Sequence, residues 1–295
     1  MMEQSGVLYL VATPIGNLKD ITLRAIEILR SVDGIAAEDT RHSRRLLTHY
    51  GIGRPLISLH GYNERSVSEL LLERLRMGAK IALISDAGTP LISDPGFPLV
   101  AKARTLGIKV VPIPGPCALI AALSASGLAT ARFLFEGFAP RTTALRRSWF
   151  ESWLREPRTV VFYESSHRIE DCLRDIAAIF PAERKVVLAR EITKIHEEFF
   201  MTTAQDAPGL FAARPDSRKG EFVVMIEGAR MEPAADTPSA EALRVLRVLL
   251  EEGMAVKRAA AAAAKITGVR KNVLYGAALQ LRDAGRFGAG MHTEA

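Results

Sequence analysis

Short apolar runs alternate with amphipathic segments through the first 125 residues, and few folds accept that rhythm. Residues 7–12 (VLYLVA) read as a buried strand, and 22–30 as a helix with Leu23, Ile26 and Leu29 on one face. Strands are expected at 34–37, 56–59, 80–84 and 109–113, with helices at 44–50, 64–77, 97–106 and 117–124 between and after them. Strand–helix alternation of this kind calls for a parallel α/β sheet.

A second α/β unit follows. Strands are expected at 133–138, 159–163 and 185–190, and helices at 142–155 and 168–180. Two further strands, at 197–201 and 221–227, have the character of antiparallel additions. The reading is therefore α/β, with an N-terminal domain over 1–128 and a second domain over 129–230. Residues 231–240 form a linker, and 241–295 a helical C-terminal module. Within that module KRAAAAAAKITGVRKNVLYGAAL reads as helix, Thr-Gly-Val turn, helix. Residues 240–286 hold nine Arg or Lys against four acids, so an RNA-contacting module and a small helical cap both fit.

A chain of 295 residues with a net charge of +6 is compatible with a polyanionic partner without requiring one. Cys117 and Cys172 have no paired spacing, which disfavours a disulfide framework or a cysteine zinc site. The N-terminus lacks the basic segment of a signal peptide. No apolar run approaches the roughly 20 residues of a membrane span. A cytoplasmic location is expected.

The usual nucleotide and metal motifs are missing: no G-x-G-x-x-G after the first strand, no G-x-x-x-x-G-K-[ST], no H-E-x-x-H. No metal is expected. Instead, four loops at strand C-terminal ends are overbuilt for turns: ATPIGNLKD, AEDTRHSRR, SDAGTPLISDPG and PIPGPC. Glycine allows positive φ and close approach, proline fixes φ, and together they preform a concave main chain. Ligands of open α/β sheets sit outside that edge.

These loops, with VFYESSHRI (161–169), AREITKIHEEF (189–199) and GEFVVMIEG (220–228), resemble the ribosomal RNA small subunit methyltransferase I family in order and spacing. The resemblance covers essentially the whole chain. It implies the two-domain tetrapyrrole-methylase fold, S-adenosylmethionine in the cleft between the domains, and a homodimer. It also implies 2′-O-methylation of a cytidine ribose in the decoding region of small-subunit ribosomal RNA, free or assembled.

By the same resemblance, Asp86, Ala87, Gly88 and Thr89 cradle the cofactor, Ile92 packs on its adenosine, and Cys117 and Ala118 contact it. Pro14 belongs to the same site, and Phe162 and Tyr163 complete it from the second domain. The fold commonly has Gly-Asp-Pro where this chain has Gly88-Thr89-Pro90, so Asp86 is expected to replace the missing acid. A ribose hydroxyl attacks well only once its proton leaves, which calls for a base. Glu38, Asp39 and His42 are the candidates, with Glu164, Glu191 and Lys194 as alternatives. Glu38 and Asp39 also suit a helix N-terminus. Arg41, Arg44 and Arg45, and Lys257, Arg258, Arg270 and Lys271 in the tail, are expected to contact RNA phosphates. Arg141, Arg146 and Arg147 form a further basic cluster. Rival readings are a tetrapyrrole or other small-molecule methylase, and a silent RNA-binding assembly factor.

Overall fold

In a computed structural model, described for residues 6–212, 214–229 and 238–288 (side chains of 283–288 excepted), the first five apolar runs form one parallel sheet. They are β1 (Val7–Val11), β2 (Gly34–Ala37), β3 (Leu56–Ser58), β4 (Lys80–Ile84) and β5 (Lys109–Ile113), in the order β3-β2-β4-β1-β5. β4 is the central strand, and β1 lies between it and β5, with Leu8 opposite Ile81 on one side and Val110 on the other. Helices cover both faces, which is why the inner strands are apolar throughout rather than alternating. α1 (Leu23–Ser31) and α2 (Thr40–His49) bury Leu29, Leu46 and Leu47 on one face. α3 (Glu64–Arg76) and α4 (Phe97–Thr105) bury Leu71, Leu75 and Leu99 on the other. Each such side chain contributes about 1.5–3 kcal/mol by leaving water.

α2 begins earlier than the helix expected at 44–50. The Asp39 carboxylate caps it by accepting the backbone N–H groups of Arg41 and His42. Capping of this kind typically contributes about 1 kcal/mol.

The second sheet runs β6-β7-β10-β8-β9, with β6 (Phe133–Phe138) parallel to β7 (Thr159–Ser165). β10 (Glu221–Ile226) is antiparallel to β7 and to β8 (Lys185–Arg190), and β9 (Glu198–Thr203) is antiparallel to β8. One face carries α6 (Thr143–Glu151) and α7 (Ile169–Ile179), over an aromatic core of Phe150, Trp153, Phe162 and Phe180. α5 (Ala118–Ala125) covers the other face, burying Leu119, Ala122 and Leu123 against Val161, Val187 and Met225. The last helix that sequence assigns to the first domain thus packs on the second sheet.

Arg146 and Arg147 do not form the surface cluster expected of them. Arg146 is buried and donates through Nε to Asp175 Oδ2 at 2.8 Å, while Arg147 Nε reaches Asp175 Oδ1 at 2.7 Å. Both guanidiniums serve a buried carboxylate, and a charge so buried requires such pairing.

The chain divides into two compact units, Met1–Ala229 and Arg230–Ala295. Of the linker expected at 231–240, residues 231–237 lie outside the described residues. The second unit holds α8 (Ala240–Glu251), α9 (Val256–Thr267) and α10 (Lys271–Gly288). Ala259, Ala260 and Ala263 of α9 are fully buried against Leu246, Leu274 and Ala278. The alanine run therefore makes a close-packed three-helix core. Gly268, left-handed at φ +74°, ends α9 and sets the turn. Lys257, Arg258, Arg270 and Lys271 are all exposed on this unit. Among the described residues, no helix is long and apolar enough to cross a membrane.

Candidate functional site

The four loops that follow β1, β2, β4 and β5 meet at one edge of the first sheet and are tied to one another. Thr13 and Gly88 exchange backbone hydrogen bonds of 2.9 and 3.0 Å, joining the loops after β1 and β4. Asp86 Oδ1 accepts the backbone N–H of Asp39 at 3.0 Å, joining the loops after β2 and β4. Thr89 Oγ1 donates to the Pro116 carbonyl at 3.1 Å, joining the loops after β4 and β5. Inside the β4 loop, Ser85 Oγ donates to the Gly88 carbonyl at 3.0 Å. The concavity is therefore preformed.

Between these loops and the second sheet lies a cavity of about 390 Å³. Ile15, Ile92, Cys117 and Ala118 supply apolar wall, and Gly88 brings bare main chain to its edge. Gly88 is left-handed at φ +83°, and a Cβ there would come within 3.3 Å of the Ile15 side chain. Four non-glycine residues are also left-handed: Leu91 (φ 75°), Ser93 (φ 69°), Glu191 (φ 49°) and Thr193 (φ 66°). They sit in the two segments that bound the cavity from opposite sides. Strain of roughly 1–3 kcal/mol each persists only where surrounding structure enforces it, which is typical of functional sites.

The cavity is acidic. Glu38, Asp86 and Asp94 line it from the first sheet's loops, and Glu191 and Glu221 from the second sheet. Burial, reinforced by Glu38 and Asp86, pushes Asp94 up to about 6. Burial and the neighbouring Asp86 raise Glu38 as well. Lys194 is the cation of the lining, with Nζ 2.8 Å from both Glu191 Oε1 and Glu221 Oε2. Burial pushes the Tyr163 phenol up to about 12, so it stays protonated. Glu164 is buried and paired with Arg168 at 2.7 Å, and its Oε2 has no hydrogen-bond partner.

Of the residues expected at the site, Glu38, Asp86, Ala87, Gly88, Thr89, Ile92, Cys117, Ala118 and Tyr163 all line the cavity. So do the alternatives Glu164, Glu191 and Lys194. Pro14 stands beside the lining residue Ile15 without lining the cavity itself. Phe162 is a correction: its side chain is 0% exposed in the aromatic core on the far face of the sheet. Successive strand residues point to opposite faces, so Tyr163 and Phe162 cannot both reach the cavity. Asp39 and His42 are outside the lining. Asp39 is committed to capping α2, which holds its carboxyl below the usual range, and His42 is exposed on α2. Arg41, Arg44 and Arg45 are exposed on the same helix.

Sequence reasoning missed Asp94 and Phe138. The second aspartate of SDAGTPLISDPG was the available signal for Asp94. Among the described residues, no group of His, Cys, Asp or Glu is arranged to hold a metal ion.

The chain matches the family model for tetrapyrrole (corrin/porphyrin) methylases over residues 7–208, and that for the RsmI C-terminal HTH domain over 236–282. It is 52% identical to a ribosomal RNA small subunit methyltransferase I of Pseudomonas aeruginosa, covering 94% of this chain and 98% of that one. It is 51% identical to the protein of that name from Escherichia coli O157:H7, covering 94% and 96%. Among solved structures, diphthine synthase aligns with a TM-score of 0.57 at 16% identity, covering 76% of this chain and 90% of that one. Uroporphyrin-III C-methyltransferase from Thermus thermophilus, complexed with S-adenosyl homocysteine, aligns with a TM-score of 0.52 at 17% identity, covering 75% and 97%. At those identities the structural likeness concerns the fold.

Proposed function

The chain belongs to the ribosomal RNA small subunit methyltransferase I family, within the tetrapyrrole methylases, and on that premise we propose that it methylates small-subunit ribosomal RNA from S-adenosylmethionine. The target is the 2′ oxygen of a cytidine ribose in the decoding region. One observation carries the reading: the preformed acidic cavity where four loops of the first sheet meet the second.

The residues present suit this cofactor. A volume of about 390 Å³ is in the range of small-molecule sites. Gly88 leaves open a place that any side chain would fill. Carboxylates at Glu38, Asp86 and Asp94 favour a cation over a neutral ligand. The main chain around Gly88 would hold it, with Ile15, Ile92 and Ala118 against its apolar parts. When bound, S-adenosylmethionine supplies an electrophilic methyl group on a positively charged sulfur.

The chain's own contribution is orientation and a proton acceptor. Holding two reactants in line removes much of a displacement barrier. Glu38 and Asp94 face one cavity, where burial and the neighbouring Asp86 raise both carboxyls, so that a carboxylate oxygen of the pair can take the ribose proton near neutral pH. Arg41, Arg44 and Arg45, on the helix that follows Glu38 and Asp39, would hold phosphates of the entering strand, as would the basic face of the tail. A homodimer and a cytoplasmic location are part of the same proposal. The acidic lining disfavours a polycarboxylate tetrapyrrole as substrate.

The test incubates purified protein with methyl-labelled S-adenosylmethionine and small subunits lacking the modification. Label recovered after nuclease digestion as 2′-O-methylcytidine is the expected result. Intact cofactor binding with no label in RNA would shift the assignment to a small-molecule methylase or a silent assembly factor.

A further inference from the structure

β6 carries an irregularity that re-aims one side chain. Phe135 pairs with Val161 and Phe138 with Tyr163, so three residues on β6 span two on β7. The extra residue is taken up at Gly137, left-handed at φ +70°. Strict alternation would send Phe135 and Phe138 to opposite faces of the sheet. The bulge instead turns both onto Tyr163, with ring centroids 5.0 and 5.3 Å away and edge-to-face angles of 64° and 61°. Phe135 packs into the core beneath α5, whereas Phe138 is 58% exposed and lines the cavity. Bulges that re-aim a side chain are over-represented beside active sites.

We propose that Phe138 is the stacking platform for the base of the nucleotide whose ribose is methylated, an inference that rests on the RNA methyltransferase reading. A ribose 2′ oxygen cannot enter a cavity without its base, and a base leaving its stack needs a new flat partner. Phe138 meets that need. It lies on the edge strand of the second sheet, and Tyr163 fixes it from one side. Its strand also abuts the strained loop: a Cβ on Gly137 would lie 3.6 Å from Ser93 Oγ, next to Asp94. A base and its 2′ hydroxyl are separated by a single sugar, so platform and proton acceptor have to be neighbours. The adenine of the cofactor is the competing occupant, and it would be placed deeper, against the Gly88 loop.

The experiment compares Phe138→Ala, Phe138→Leu and Phe138→Tyr in the full chain, because the exposed side chain can be changed without emptying a core. The expected result is a fall in kcat/KM for small subunits of about tenfold or more for Ala and Leu, in line with base–aromatic stacking, with Tyr retaining most activity. Affinity for S-adenosylmethionine, by calorimetry, stays at the wild-type value in all three. Wild-type kcat/KM in the Leu variant overturns the inference. So does a parallel loss of cofactor affinity in Ala and Leu, which would give the platform to adenine. A wild-type protein that leaves RNA unlabelled withdraws the underlying reading as well; an active wild type with an unimpaired Ala variant withdraws the platform alone.

Discussion

Asp94 is the carboxylate whose surroundings most oppose its charge. Burial, Glu38 and Asp86 all hold its proton on, against a hydrogen bond from Ser85. If it accepts the ribose proton, kcat should climb as pH passes about 6 and level off above. Asp94→Asn should remove that limb from the pH profile and lower kcat about 10²- to 10⁴-fold. The same group makes a stability prediction of opposite sense. An acid with a raised folded-state pKa binds its proton more tightly when folded, so its contribution falls as pH rises from the ordinary 3.8 to about 6. Above that window the charge costs stability, and Asp94→Asn should raise Tm at pH 8 by about 2–4 °C, with a smaller gain at pH 5. A variant that loses activity and stability together would point to a structural role. Gly88→Val should abolish cofactor binding, because φ +83° strains any β-branched residue and the added methyls meet Ile15. Unchanged binding by calorimetry would move the cofactor elsewhere. Single residues were the least legible part of the sequence. Glu38 and Asp39 look alike in the string EDTRHS; only the start of α2 shows that one caps a helix and the other faces the cavity. Phe162 and Tyr163 likewise needed the phase of β7 to be told apart.

Elements were more readable, for a physical reason. Strands of a doubly covered parallel sheet are apolar at nearly every position, so β1, β2, β4 and β5 stand out as short runs between polar loops, with only Lys80 and Lys109 charged. Three of the loops announced themselves through glycine and proline and the fourth, AEDTRHSRR, through its charges, and all four contribute to the lining. Two things stayed hidden. The bulge in β6 depends on pairing with β7, which a single sequence does not display. α5 reads as a closing helix of the first domain, yet its partners lie some forty residues or more ahead in the chain. The tail invites a test at this scale. Lys257, Arg258, Arg270 and Lys271 are exposed at the ends of α9 and α10, and replacing all four with Ala should weaken RNA binding and flatten its salt dependence. Far-ultraviolet circular dichroism should be unchanged, since none of the four belongs to the buried core of that unit. An unaltered salt slope would make the module a structural one.

At the scale of the whole chain, the described residues that line the cavity fall between Ile15 and Val223. A protein ending at residue 229 should therefore fold and bind S-adenosylmethionine with unchanged affinity, while losing activity on small subunits. A protein ending at residue 128 should be insoluble, though it contains all five strands of the first sheet, because Leu119, Ala122 and Leu123 would face water. Solubility and calorimetry on the two truncations check both statements. The docking of α5 on the second sheet also bears on how the molecule comes into being. Synthesis runs from the N-terminus at about 5–20 residues per second, and ~100 residues separate the end of α5 from the end of β10. For something like 5–20 seconds the nascent chain carries Leu119, Ala122 and Leu123 with no surface to land on, and so short a segment holds its helix only once it is docked. Until β10 has been made, those side chains stay open to water, so the first five strands are synthesised well before the helix that follows them can settle.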